Sequence, residues 1–350
     1  MRTTVADSVR PVSSARQVSY AALAVAVVGV SASAPIIAAA AAPVLAVAFW
    51  RNAVSAGLLL PVALVRDREQ LRRLGRREWL MAGGAGVLLA AHFAAWMPSL
   101  RFTSIASSTA LVCSQPLWAT VITRLRGEPV PHRTWLGLLL ASVGVMVLTG
   151  IDVTLSGRAL LGDLLALLGG VFGAGYVTLG AGVRKHVSTT AYTAVCYAAA
   201  AGTLLVLCLA TGQELHGYSG DTWMKLGLLV LFGQLLGHSM MNLALRVTSP
   251  TFVSVVALLE VPGASLLAAA WLGQIPPVSA LFAVALILGG VVVATERRNR
   301  SDETTRQHQA TGVTCGRDPE AHDSEPCARA PLGTTTRQVA PASTGRTKRP

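Results

Sequence analysis

Two stretches of this 350-residue chain decide its fold: AHFAAWMPSLRFTSIASSTALVCSQPLWATVITRLRGEP, residues 91–129, and GHSMMNLALRVTSPTFVSVVALLEVPGASLLAAAWLGQIP, Gly237–Pro276. Leu100-Arg101-Phe102-Thr103-Ser104 in the first returns as Leu245-Arg246-Val247-Thr248-Ser249, 145 residues later. His92 returns as His238 and Pro116 as Pro262, each 146 residues on, and Gly127-Glu128-Pro129-Val130-Pro131 returns as Gly273-Gln274-Ile275-Pro276-Pro277. Four markers in one order at a nearly constant offset mark an internal duplication.

Around these stretches the chain is apolar. Residues of the AVILMFWYC set make up 52% and charged residues 13%, with a mean hydropathy of +0.54. A water-soluble chain carries roughly twice that charge. The runs do not alternate polar with apolar, which excludes an outer-membrane barrel. Ten runs approach the ~20 residues that a crossing helix needs: Val18–Ala38, Val44–Val65, Trp79–Leu100, Ile105–Leu125, Thr134–Thr149, Leu160–Gly182, Thr189–Leu209, Thr222–Leu245, Thr251–Leu272 and Val278–Thr295. The expectation is an all-α polytopic membrane protein of ten transmembrane helices. Its units are a first five-helix repeat over 18–150, a second over 159–296, and a disordered cytoplasmic tail over 297–350. The tail has no Phe, Trp, Tyr or Ile, so it cannot bury enough apolar surface to offset the entropy of ordering. Ser31-Ala32-Ser33-Ala34 has the small residues of a signal-peptidase site. The apolar stretch continues past it, so the first run reads as an uncleaved span.

Five is an odd number, so the second repeat enters the membrane upside down relative to the first. The charges agree. With both termini cytoplasmic, 25 basic residues fall inside and three (Arg101, Arg158 and Lys225) outside, leaving Arg51 within a span. Basic residues gather on the cytoplasmic side of bacterial-type membrane proteins. The net charge of +12 therefore points to topology and a lipid bilayer, and nucleic acid is not an expected partner. Inverted repeats around a central cavity suit alternating access.

The two quoted stretches resemble the EamA repeat of the drug/metabolite transporter superfamily, over roughly Val18–Thr295. The likeness rests on the Leu-Arg-x-Thr-Ser turn, the mid-span proline and the Gly-Glu before the last helix of each repeat; Gln274 stands where that Glu is expected in the second. The resemblance implies ten helices in an inverted 5+5 arrangement and a carrier of small metabolites, often an exporter. Amino acids and drug-like solutes fall within the substrate classes it allows. A polytopic membrane enzyme and a membrane sensor or scaffold are the alternatives. Against the enzyme, no Gly-x-Ser-x-Gly, His-Glu-x-x-His or phosphate-cradling loop occurs. No cofactor is expected, and no Cys/His spacing suits a metal.

Polar residues inside apolar runs are the candidates for function. A charge at the bilayer centre costs on the order of 3 kcal/mol or more and usually faces the bundle interior. Arg51 lies about 12 Å deep and Glu260 about 14 Å deep at the rise of an α-helix, both near the midplane. They are expected to face a cavity, pairing with each other or binding a charged substrate; one cation and one anion would suit a zwitterion. His92 and His238 are candidates for proton coupling. Gln115, Gln234 and Asn242 can orient a polar solute or join helices. Trp50, Trp96 and Trp118 are candidates to line the cavity, and Trp79 and Trp223 read as interfacial anchors. Pro116 and Pro262 each break a helical hydrogen bond at matched places and point to the binding region. Gly169-x-x-x-Gly173 and Gly233-x-x-x-Gly237 offer small faces for helix packing or a homodimer. Asp163 is expected to be wetted.

Overall fold

In hydrocarbon a backbone N–H can be satisfied only by its own chain, so long apolar runs must fold as helix. The computed structural model describes residues 10–103, 108, 111–149, 157–272 and 279–295, and these are helical with no β-strand among them. The tail, the amino-terminal arginine Arg2, Ser104 and Gln274 lie outside the described residues.

The first repeat contains α1 (Arg10–Ser31), α2 (Ser33–Ala39), α3 (Val44–Arg66), the short α4 (Arg68–Arg73), α5 (Arg76–Ser99), α6 (Gln115–Leu125) and α7 (His132–Thr149). The second contains α8 (Gly157–Arg184), α9 (Thr189–Ala210) and α10 (Gly220–Leu229). It continues through a π-helical segment (Val230–His238) into α11 (Ser239–Ala244), then α12 (Pro250–Ala257), α13 (Glu260–Leu272) and α14 (Ser279–Thr295). Serine hydroxyls start three of these helices, Ser188 accepting from Ala191 N, Ser219 from Thr222 N and Ser249 from Phe252 N. Each satisfies a donor that the first helical turn leaves open.

Seven helical stretches among the described residues are long and apolar enough to cross a membrane: Gln17–Ala39, Val44–Arg66, Arg76–Ser99, Gly157–Arg184, Thr189–Ala210, Gly220–Ala244 and Pro250–Trp271. Two more apolar helices, His132–Val147 and Phe282–Ala294, are shorter. The ten expected runs are thus not ten equal helices. The fourth is interrupted by a turn at Cys113-Ser114 just ahead of Pro116, and the ninth by a turn at Leu258-Leu259 just ahead of Pro262. Proline lacks the N–H and crowds the carbonyl four residues back, which is Val112 in one case and Leu258 in the other. The same residue at the same place breaks the same helix in each repeat.

The repeats are interleaved. α5 packs along α8, and its inverted equivalent, the π segment with α11, packs along α1; α3 packs on α9 and α7 on α14. Glycines make the close approaches. A Cβ on Gly169 would meet Trp96, one on Gly173 would meet His92, and one on Gly182 would meet Met81, so α5 and α8 run antiparallel. On the other side a Cβ on Gly29 would fall 2.5 Å from Phe232 O, and one on Gly237 would fall 2.8 Å from Val30 Cγ1. The two interfaces are one interface seen twice, as an inverted repeat requires. The Gly169 and Gly233 motifs are therefore filled within the chain and do not form a face for a second copy.

The repeats differ in one local respect. Trp79 to Leu100 is 21 residues and Trp223 to Leu245 is 22. The corresponding helix of the second repeat is π-helical over Val230–His238, with Ser239 N donating to Gln234 O, five residues back.

Candidate functional site

A buried cavity lies where the two repeats meet. Its volume is about 60 Å³, room for about four or five water molecules at 10–15 Å³ each. Arg51 on α3, His92 and Trp96 on α5, and Gln115 and Pro116 at the start of α6 come from the first repeat. Tyr176 on α8, His238 on the π segment, Met241, Ser254 and Glu260 come from the second. The breaks ahead of Pro116 and Pro262 and the small Gly173 on α8 all fall at or beside this lining.

Arg51 is 1% exposed. Its Nε donates to Gln234 Oε1 at 2.8 Å, and its guanidinium carbon sits 4.2 Å from the centre of the Phe93 ring. Its Nη1 and Nη2 have no protein partner among the described residues. Glu260 is the first residue of α13, where the helix dipole favours a carboxylate. Ser31 on α1 holds that corner by donating to Glu260 O at 3.4 Å and to Val27 O at 2.7 Å. Arg51 and Glu260 share the cavity but form no direct ion pair among the described residues. The cavity thus brings an arginine and a glutamate together without direct contact between them.

The two histidines meet across the repeats, ring centres 6.4 Å apart. His92 Nδ1 donates to Gly169 O at 2.8 Å, which leaves its Nε2 as the free nitrogen, and its ring stacks on Trp96. His238 packs on Phe93 and Tyr176, and its Nδ1 is buried without a partner among the described residues. Trp96 Nε1 and Ser33 Oγ are also buried and unpaired in the lining. Such atoms cost about 1–3 kcal/mol each when left dry. Five of them converging on one small cavity (two on Arg51, and one each on Trp96, His238 and Ser33) mark a place prepared for something that can bond to them.

The other expected residues are placed as follows. Gln115 Nε2 donates to Ser254 Oγ at 3.4 Å and joins the two broken helices. Asn242 lies behind the lining, its Nδ2 donating to Tyr176 Oη at 2.5 Å. Pro262 is outside the lining, and its effect is felt through the break that sets Glu260 at a helix start. Trp50 does not reach the cavity: its Nε1 donates to Leu215 O at 2.8 Å, and its ring packs on Trp223. Trp118 is turned to Ser114 Oγ at 3.0 Å. Asp163 is half-buried, with Oδ1 enclosed and unpaired, and so is not a wetted end residue.

One buried cation was not legible. Arg184 counts as a loop residue in the charge pattern, yet it is fully buried at the end of α8. It donates from Nε to Asn242 O at 2.9 Å, from Nη1 to Val187 O and from Nη2 to Thr189 Oγ1. Next to it, Gln70 bonds to His186 O and Ser188 N, tying α4 to the α8–α9 connection.

The fold and cavity define a polytopic helical membrane protein of two inverted repeats with a charged internal site. The chain belongs to the EamA-like transporter family, whose model matches residues 16–150 and 160–295. This is a family of the drug/metabolite transporter superfamily, made of transporters. A solved crystal structure is similar over 82% of this chain and 98% of its own, at a TM-score of 0.66 and 20% identity, and so shares the fold. No curated protein matches by sequence.

Proposed function

We propose that the protein is a secondary transporter that moves small metabolites across the cytoplasmic membrane by alternating access, in the direction of export. The chain crosses ten times, counting the two short helices and the broken fourth, as repeats over 18–150 and 159–296 with both termini and the 297–350 tail cytoplasmic. The observation that carries this reading is the cavity between the repeats, with the unpaired Nη atoms of Arg51 and the carboxylate of Glu260 on the same wall-to-wall space.

Arg51 takes a substrate anion and Glu260 a substrate cation, which suits a zwitterion the size of a small amino acid. Trp96 Nε1, Ser33 Oγ and Gln115 supply neutral contacts, and the His92–His238 contact changes when the repeats rock. Pro116 and Pro262 set the breaks about which the fourth and ninth helices bend.

The test is counterflow in proteoliposomes with amino acids, nucleosides, sugars and cationic drugs. Saturable counterflow with one class is expected; product formation instead would support an enzyme. Arg51→Gln and Glu260→Gln should each abolish flux, by 100-fold or more, in protein that still inserts. Near-normal flux in both removes the reading. Reporter fusions should place the Arg101 and Arg246 connections on opposite faces.

A further inference from the structure

The unusual feature of Arg51 is the neutrality of its partner. Gln234 Oε1 accepts from Arg51 Nε at 2.8 Å, Gln234 Nε2 donates to Asn52 Oδ1 at 3.0 Å, and Asn52 Nδ2 donates to Ala48 O at 2.9 Å. Arg51, Asn52 and Gln234 are each at most 1% exposed. A guanidinium only donates, so the oxygen end of Gln234 must face it, and the amino end must then find an acceptor. Asn52 provides that acceptor and turns its own amino end to the helix backbone. The relay has one direction.

A carboxylate in place of the Gln234 amide would hold Arg51 equally well and cancel its charge. An amide fixes the geometry and leaves the guanidinium without an acid in contact among the described residues, with Nη1 and Nη2 unbonded in a residue that lines the cavity. Phe93 covers the guanidinium face at 4.2 Å. Gly233 keeps the neighbouring space open, since a Cβ there would lie 3.1 Å from Arg51 Nη2 and 2.5 Å from Ser33 Oγ. Gln234 itself belongs to the π segment.

We propose that Gln234 and Asn52 are positioning residues that hold Arg51, without an acid in contact and fixed in direction, as the receptor for a substrate carboxylate. This rests on the reading of Arg51 as a substrate-facing group.

The experiment uses the purified full chain in detergent, titrated with L-alanine and with alanine methyl ester, which has the ammonium but no carboxylate. Wild-type protein is expected to bind alanine and to bind the ester at least tenfold more weakly. Gln234→Glu should lose alanine at least tenfold and keep or improve its affinity for the ester, at an unchanged melting temperature. Asn52→Ala, the milder change, should weaken alanine alone by about threefold. Equal loss of both ligands in Gln234→Glu would mean a merely structural role and overturn the proposal. If Gln234→Glu and Asn52→Ala bind alanine as wild type does while Arg51→Gln does not, the relay is wrong and the receptor stands. If Arg51→Gln binds alanine normally, or the wild type does not prefer alanine to the ester, the receptor itself is wrong and the relay falls with it.

Discussion

Arg51 and Arg184 are both buried arginines in a membrane fold, and they are built in opposite ways. Arg184 spends all three nitrogens on Asn242 O, Val187 O and Thr189 Oγ1, in a corner where α8, α9 and α11 meet. Arg51 spends one, on Gln234, and turns two toward a cavity. A buried cation with every nitrogen bonded to the protein holds structure together. A buried cation with donors to spare loses stability for the sake of a ligand. The difference lies in the partners rather than in burial, which is the same for both.

The comparison can be broken by substitution. The largest effect should come from Arg184→Met. It strands two backbone carbonyls and a hydroxyl, at about 1 kcal/mol or more each, and should lower the melting temperature by roughly 6–12 °C. Ligand affinity of the surviving folded protein should hold within about threefold. Arg51→Gln should do the reverse, abolishing flux with a melting temperature at or above wild type. Thermal unfolding and counterflow on the same preparations decide this, and a matching loss of stability in both variants would erase the distinction.

A smaller effect is expected at Trp96. Trp96→Phe keeps an aromatic face on His92 and removes the unpaired Nε1–H together with part of the ring. Flux at low substrate should fall about tenfold or less, and the smaller ring should cost about 1 kcal/mol of stability through the space it leaves.

The smallest effects test the helix contacts rather than the site. A Cβ on Gly137 would fall 2.5 Å from Gly290 O, whereas one on Gly202 would meet nothing within 4 Å. Gly137→Ala should cost about 1–3 kcal/mol through overpacking of α7 on α14. Gly202→Ala should be neutral or stabilise by up to about 1 kcal/mol. Chemical or thermal unfolding in detergent reads both.

Much of the site was legible because the lipid makes polar groups conspicuous. Arg51, Glu260, His92 and His238 stood out in runs where a charge or imidazole is costly, and the structure brings all four to one cavity. The repeat markers gave the inverted arrangement, since an odd number of runs per half leaves no other way to thread them. The matched prolines marked the broken helices. Arg184 was missed because a count of loop cations cannot see that a residue at a helix end is folded under its neighbour. Trp50 and Trp118 were misplaced for a related reason: periodicity says which face of a helix a ring occupies, not which helix or loop it meets.

Hydropathy, loop charge and repeat spacing are properties of a line of residues, and they suffice to make the chain membranous, duplicated and inverted. That Arg51 answers to Gln234 rather than to Glu260, and that Gly169 packs against Trp96, follows from the folded arrangement alone. Those outcomes depend on which helices approach closely enough to exclude a Cβ, and on directional hydrogen bonds formed across 183 residues of chain. Neither leaves a trace in the order of the residues.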